Sequence, residues 1–249
     1  MKIAYIFILI AVFAASCEFN KSTSIDFSTG ITTKGDGLSC DNVSLSSGDE
    51  RINRNEFIYE EKITISLTNI KGFTQKNNNV YPGMSLLVLD KKGDTMLYNA
   101  DLYADYNDGF DIDPITLTAS IKVGDPIRSN KSYTLFLHTW DKKGKGTFDT
   151  ELQFSVVPNP ALKLESAHAS FDEIFLFDTE KKAGITSTKI KQYQETLLVY
   201  NGLKGFKQQD GKCQIGLSMH ATDANGKIIL EEADLLKDQE LVAPYEQRI

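Results

Sequence analysis

Residues 69–102 read NIKGFTQKNNNVYPGMSLLVLDKKGDTMLYNADL, and residues 202–235 read GLKGFKQQDGKCQIGLSMHATDANGKIILEEADL. The two stretches align without a gap at a constant offset of 133 residues, and 12 of the 34 positions are identical. Chance at average amino-acid usage gives about 2. A shorter echo precedes each stretch: Leu38–Leu45 (LSCDNVSL) resembles Ala169–Leu176 (ASFDEIFL), now at an offset of 131. Self-similarity of this kind means two copies of one folding unit.

The first copy alternates apolar and polar residues with period two. Ile63, Ile65 and Leu67 alternate with hydroxyl-bearing neighbours, as do Ile115, Leu117, Ala119 and Ile121. Tyr133, Leu135 and Leu137 repeat the pattern, and so do Phe148, Leu152, Phe154 and Val156. Period two marks strands with one buried face and one wet face. Asp90-Lys91-Lys92-Gly93 and Asp141-Lys142-Lys143-Gly144 place Asp first and Gly fourth, as a type I turn prefers. With the runs around Val43, Met84–Leu89 and Thr95–Tyr98, about seven strands are predicted over ~120 residues, a spacing that fits a β-sandwich. The repeat checks the register. Val80, Met84, Leu86 and Val88 align on Cys213, Leu217, Met219 and Ala221, while Ser85 and Ser218 between them are both polar. A slip of one residue would turn that face to water.

The run from Ser132 to Gly144 resembles the last hairpin of bacterial immunoglobulin-like domains, with their Tyr-x-Leu strand and Asp-x-x-Gly turn. The expected fold is therefore all-β: two tandem immunoglobulin-like β-sandwich repeats, the second incomplete. Repeat one is placed at 38–157, a linker at 158–167 and repeat two at 168–249. Pro158 and Pro160 end the first repeat, because proline cannot donate to a central ladder. Measured against the first copy, the second would end near residue 290, so about 40 residues carrying the last three strands have no counterpart. Three explanations stand: a truncated product, a rearranged second copy, or strands supplied by a partner.

Met1-Lys2 followed by the uncharged stretch Ile3–Ser16 reads as a signal peptide over 1–16. At about 1.5 Å per residue the stretch falls short of a ~30 Å hydrocarbon core. Ala14-Ala15-Ser16-Cys17 resembles the lipobox of bacterial lipoproteins, with Ala14 where a larger aliphatic is commoner. That resemblance implies cleavage before Cys17, lipid on Cys17, and a membrane partner reached through the acyl chains, the outer membrane being expected. The competing reading is a signal removed by the general signal peptidase with Cys17 unmodified. Residues 17–37, rich in Ser, Thr and Gly, are expected as a flexible tether. Cys40 and Cys213 remain. A disulfide between them is one reading, and two small core residues, as the apolar Phe171 and Val80 in the other copy suggest, is the other.

The net charge is −7 and no basic stripe exists, which argues against nucleic acid as a partner. A search for chemistry returns little. No His or Cys spacing suits zinc, no phosphate-cradling glycine loop is present, and Gly83-Met84-Ser85 lacks the second glycine of a nucleophile elbow. No cofactor and no enzymatic activity are expected. The acidic run from Asp105 to Asp113 offers Asp105, Asn107, Asp111 and Asp113 as a weak calcium candidate, against a solvated loop. Trp140, Tyr133, Tyr98, Tyr103 and Tyr106 serve core packing or an exposed binding surface. Asp94-Thr95-Met96 is similar to the acceptor pattern of one bacterial O-glycosylation system. The expected function is a lipid-anchored envelope protein with non-catalytic binding or structural modules. The alternatives are a glycan-binding module of a nutrient-capture system and an accessory part of an enzyme whose catalytic domain lies elsewhere. An envelope protein and a glycan are the partners considered.

Overall fold

The computed structural model describes residues 21–111, 115–166, 168–187, 190–191, 194–207, 210, 212–213, 215–237 and 241–242. Their regular elements are strands. The first repeat and its leading segment contain β1 (Lys21–Asp26), β2 (Ile31–Asp36), β3 (Ser39–Ser47), β4 (Glu50–Ile52), β5 (Glu56–Ile58), β6 (Lys62–Lys71), β7 (Asn79–Val80), β8 (Pro82–Asp90), β9 (Thr95–Asn99), β10 (Phe110–Asp111), β11 (Thr116–Lys122), β12 (Lys131–Asp141) and β13 (Thr147–Val157). One sheet runs β11-β6-β3-β4, and the other runs β1-β2-β13-β12-β8-β9, with β5 parallel to the end of β13. The seven predicted strands are β3, β6, β8, β9, β11, β12 and β13. The first, second and fifth of these form one sheet; the other four form the second. That is a β-sandwich with an immunoglobulin-like strand division. Inward residues of both sheets, including Leu45, Ile65, Leu67, Met84, Leu135 and Leu152, are essentially fully buried between them. Both predicted turns form: Asp90 O accepts from Gly93 N at 3.0 Å, and Asp141 O accepts from Gly144 N at 3.4 Å.

Most of the stretch expected as a flexible tether is ordered. β1 and β2 make a hairpin, and β2 zips onto residues Thr147–Leu152 of β13. Composition alone suggested a leash, because hydroxyl-rich segments are common in linkers. What composition did not reveal is the free edge of β13, which only exists once the sandwich has formed. Ile31, 2% exposed, turns inward and fixes the hairpin to the core.

The second repeat contains β14 (Glu173–Asp178), β15 (Ala183–Ile185), β16 (Thr196–Asn201), β17 (Lys212–Cys213), β18 (Met219–Thr222), β19 (Ile228–Glu232) and β20 (Leu241–Val242). It copies the first repeat down to single hydrogen bonds. Asp101 Oδ1 accepts from Met84 N at 3.1 Å, and Asp234 Oδ1 accepts from Leu217 N at 3.1 Å. Lys71 reaches Asp41 at 2.9 Å, and Lys204 reaches Asp172 at 3.0 Å. The bulge in the β8–β9 pair recurs in the β18–β19 pair. Gly72 and Gly205 both adopt φ of 99°. Among the described residues the second repeat has counterparts of β3, β4 and β6 to β10, and none of β11, β12 or β13.

The two repeats meet through a sheet face that the copies treat differently. Register puts Phe175, Phe177, Leu197 and Val199 on the outer face of β14 and β16. The aligned residues in the first repeat are Ser44, Ser46, Thr64 and Ser66. Phe175 is buried, and Phe177 and Val199 pack against the first repeat's core. The Phe175 ring lies 5.5 Å from that of Tyr59. Glu173, 2% exposed, accepts from Ser129 N at 2.6 Å, and Asn159 Nδ2 donates to Ile185 O at 3.0 Å. Burying apolar area on both faces of one sheet stiffens the junction.

Candidate functional site

The outer face of the β9-β8-β12-β13-β2 sheet carries a patch that solvent reaches. Tyr133, Leu135, Leu137 and Thr139 point inward, so Phe136, His138 and Trp140 point out. Backbone register extends these into rows. Tyr98, Leu87, Phe136, Glu151 and Thr32 form the first. Ser85, His138, Asp149 and Lys34 form the second, and Gly83, Trp140, Thr147 and Asp36 the third. Side chains two apart on a strand are separated by about 6.8 Å, so Phe136 and Trp140 stand about 14 Å apart.

Gly83 decides how Trp140 lies. A Cβ at Gly83 would come within 2.1 Å of the Trp140 ring, so the indole rests against bare backbone and directs its other surface outward. At the aligned Gly216 the nearest atom to such a Cβ is Asp234 Oδ2, at 3.8 Å. His138 lies alongside, its ring centroid 5.7 Å from that of Trp140 and the planes 22° apart. Asp149 Oδ1, 2.6 Å from His138 Nδ1, orients the imidazole. Tyr98 is 66% exposed at the edge of the row. The arrangement offers ring surfaces flanked by Asp149, Glu151 and Lys34, groups able to donate or accept hydrogen bonds.

The aromatics named from sequence divide between the two roles. Tyr103 and Tyr133 are buried and fix backbone: Tyr103 OH accepts from Thr118 N at 2.7 Å, and Tyr133 OH accepts from Arg128 N at 2.7 Å. Burial pushes both phenols above their ordinary pKa. Trp140 is half-buried, and Tyr98 and Tyr106 are exposed. Phe136, Leu87 and His138 were missed as members of the patch. The signal was available in their parity with Trp140 on one strand and in the facing strand's alternation.

The other candidates are placed as follows. Cys17 lies outside the described residues, as does Asp113. Asp105, Asn107 and Asp111 are exposed, and among the described residues no group of three or more His, Cys, Asp or Glu side chains is arranged to hold a metal ion. Thr95 is exposed on β9. Cys40 is half-buried, its Sγ donating to Thr68 O at 3.3 Å, and desolvation foremost raises its thiol pKa. Cys213 is buried in the small core of the second repeat with Ile215 and Leu236. A cleft of about 750 Å³ opens on that core, lined by Phe171, Tyr200, Leu203, Phe206, Leu217 and Leu236. The aligned Leu67, Ile70, Met84 and Tyr103 are buried in the core of the first repeat.

No family model matches the chain, and no curated protein matches it. Among solved structures it is similar to the C-terminal domain of wzt, at 6% identity and a TM-score of 0.36, over 59% of this chain and 89% of that one.

Proposed function

We propose that the chain is a lipid-anchored protein of the bacterial cell envelope whose β-sandwich repeats act as a stiff, non-catalytic display and binding unit. The observation that supports it is the apolar junction: Phe175 and Phe177 occupy positions that are serine in the first repeat and seal the second repeat onto it. A stiff pair of modules holds a surface at a set distance and orientation from its base. The anchor rests on the export signal and on Ala14-Ala15-Ser16-Cys17. Several acyl chains at ~0.8 kcal/mol per buried methylene give stable attachment. Glu18, Phe19 and Asn20 alone separate Cys17 from β1, a reach of roughly 14 Å, so the first repeat would sit close to the bilayer.

The test is expression with the native amino terminus in a two-membrane bacterium. Wild type should sediment with membranes, partition into detergent and incorporate labelled palmitate, whereas Cys17→Ser should do none of these. A Cys17→Ser protein that still fractionates with membranes refutes the anchor.

A further inference from the structure

We infer that the outer face around Trp140 binds a polysaccharide chain, with pyranose rings stacked on Trp140, Phe136 and Tyr98. The inference rests on the reading of the repeats as binding modules and is independent of the lipid anchor. A sugar ring has an apolar C–H face and a rim of hydroxyls. The patch presents the complement of both. Trp140 lies flat on Gly83, so its position is set by backbone and little ordering entropy remains to be lost on contact. His138, held by Asp149 at 2.6 Å, continues the ring surface toward Phe136 and Tyr98. The rim partners stand beside the rings row by row: Glu151 next to Phe136, Asp149 and Lys34 next to His138, Thr147 next to Trp140. The strip is bordered by acceptors, Asp149 and Glu151, by a donor, Lys34, and by hydroxyls, Thr147 and Thr32, which suits neutral hydroxyls, each of which can donate or accept.

A protein partner would favour a contiguous apolar centre ringed by polar groups. Here the rings form a narrow strip from Tyr98 through Leu87 and Phe136 to Trp140, with Glu151, Asp149 and Thr147 along one side of it. The path from Tyr98 through Phe136 to Trp140 crosses three strands, long enough for several sugar units and open at both ends, as a chain requires and a monosaccharide pocket does not. Trp140 lies at the end of β12 remote from Ser129, where the second repeat docks, so the junction leaves it uncovered, and Tyr98, which borders a cavity shared with Asn201 of the second repeat, remains 66% exposed.

Trp140 is the sole tryptophan of the chain, so intrinsic emission reports this face alone. The experiment titrates the full chain with glycogen, laminarin, xylan, mannan and a galactan, reading tryptophan emission and retardation in affinity gels. At least one polysaccharide should blue-shift the emission and retard the protein. Trp140→Ala should abolish the retardation, Tyr98→Ala should weaken it about tenfold, and Tyr106→Ala, which alters an exposed ring outside the three rows, should leave it unchanged; far-UV dichroism confirms that each variant folds. Silence across the panel, retardation that survives Trp140→Ala, or a blue shift that depends on protein concentration without polysaccharide, meaning that a second copy covers the face, would each overturn the inference.

Discussion

The Phe175 ring of the second repeat stands 5.5 Å from the Tyr59 ring of the first, tilted by 51°, and both are buried. The aligned residue in the first repeat is Ser44, whose neighbours across β6 and β11 on that face, Ser66, Thr64, Thr68 and Thr118, all bear hydroxyls. One folding unit has thus been adapted to a second role by recolouring the outside of a sheet. Phe175→Ser restores the first-repeat residue and removes the centre of the junction. Losing a buried aromatic should cost about 2–4 kcal/mol. Urea unfolding followed by dichroism should separate into two transitions, and limited proteolysis should cut within 158–167. A variant that unfolds in one step with the wild-type midpoint would show that the junction contributes nothing.

Gly72 and Gly93 test backbone and space separately. Both hold positive φ, 99° and 88°. A Cβ at Gly72 would meet Gly37 O at 2.1 Å, whereas at Gly93 nothing lies within 4 Å. Gly93→Ala should cost only the left-handed conformation, about 1–2 kcal/mol. Gly72→Ala adds a clash with a carbonyl that the β2–β3 connection cannot withdraw, so its melting temperature should fall clearly further. Equal shifts in calorimetry would contradict the close approach.

These two positions also show what the sequence made legible. Period-two alternation made β6, β11, β12 and β13 legible, because each has one wet face; β3, β8 and β9 show as runs beside them, and the short strands β4, β5, β7 and β10 carry too few residues to show a period. The turns were legible because Asp and Gly stand where a type I turn needs them. Phe175 was not, since Ile174-Phe175-Leu176-Phe177 is apolar on both faces and its second partner lies across the junction. The β1–β2 hairpin was hidden for a related reason: its hydroxyl-rich strands gain their place only from the edge of β13. The Trp140 face was half legible. Parity placed Trp140 opposite Tyr133, but nothing local revealed that Gly83 would lie beneath its ring.

Asp101 gives the acid behaviour. Partial burial opposes its ionisation, but Lys142 at 2.7 Å and the amides of Tyr103 and Met84 outweigh that and hold the carboxyl below its usual range. A folded pKa below the unfolded one means stability that is present above the unfolded value of about 3.9 and is lost as pH falls through the folded one. Asp101→Asn keeps the shape but leaves Lys142 without its ion-pair partner. At pH 7 it should destabilise by about 1–3 kcal/mol, and once pH falls through the lowered folded value the difference from wild type should shrink. Thermal melts from pH 2 to 7 measure this, and a difference that stays constant across the range would assign the effect to packing instead of charge. The matching Asp234 makes the same two backbone bonds, to Leu217 N at 3.1 Å and Leu236 N at 3.0 Å. Asp234→Asn should therefore loosen only the second repeat, detected as faster amide exchange at Leu217 and Leu236 with the Asp101 region unchanged.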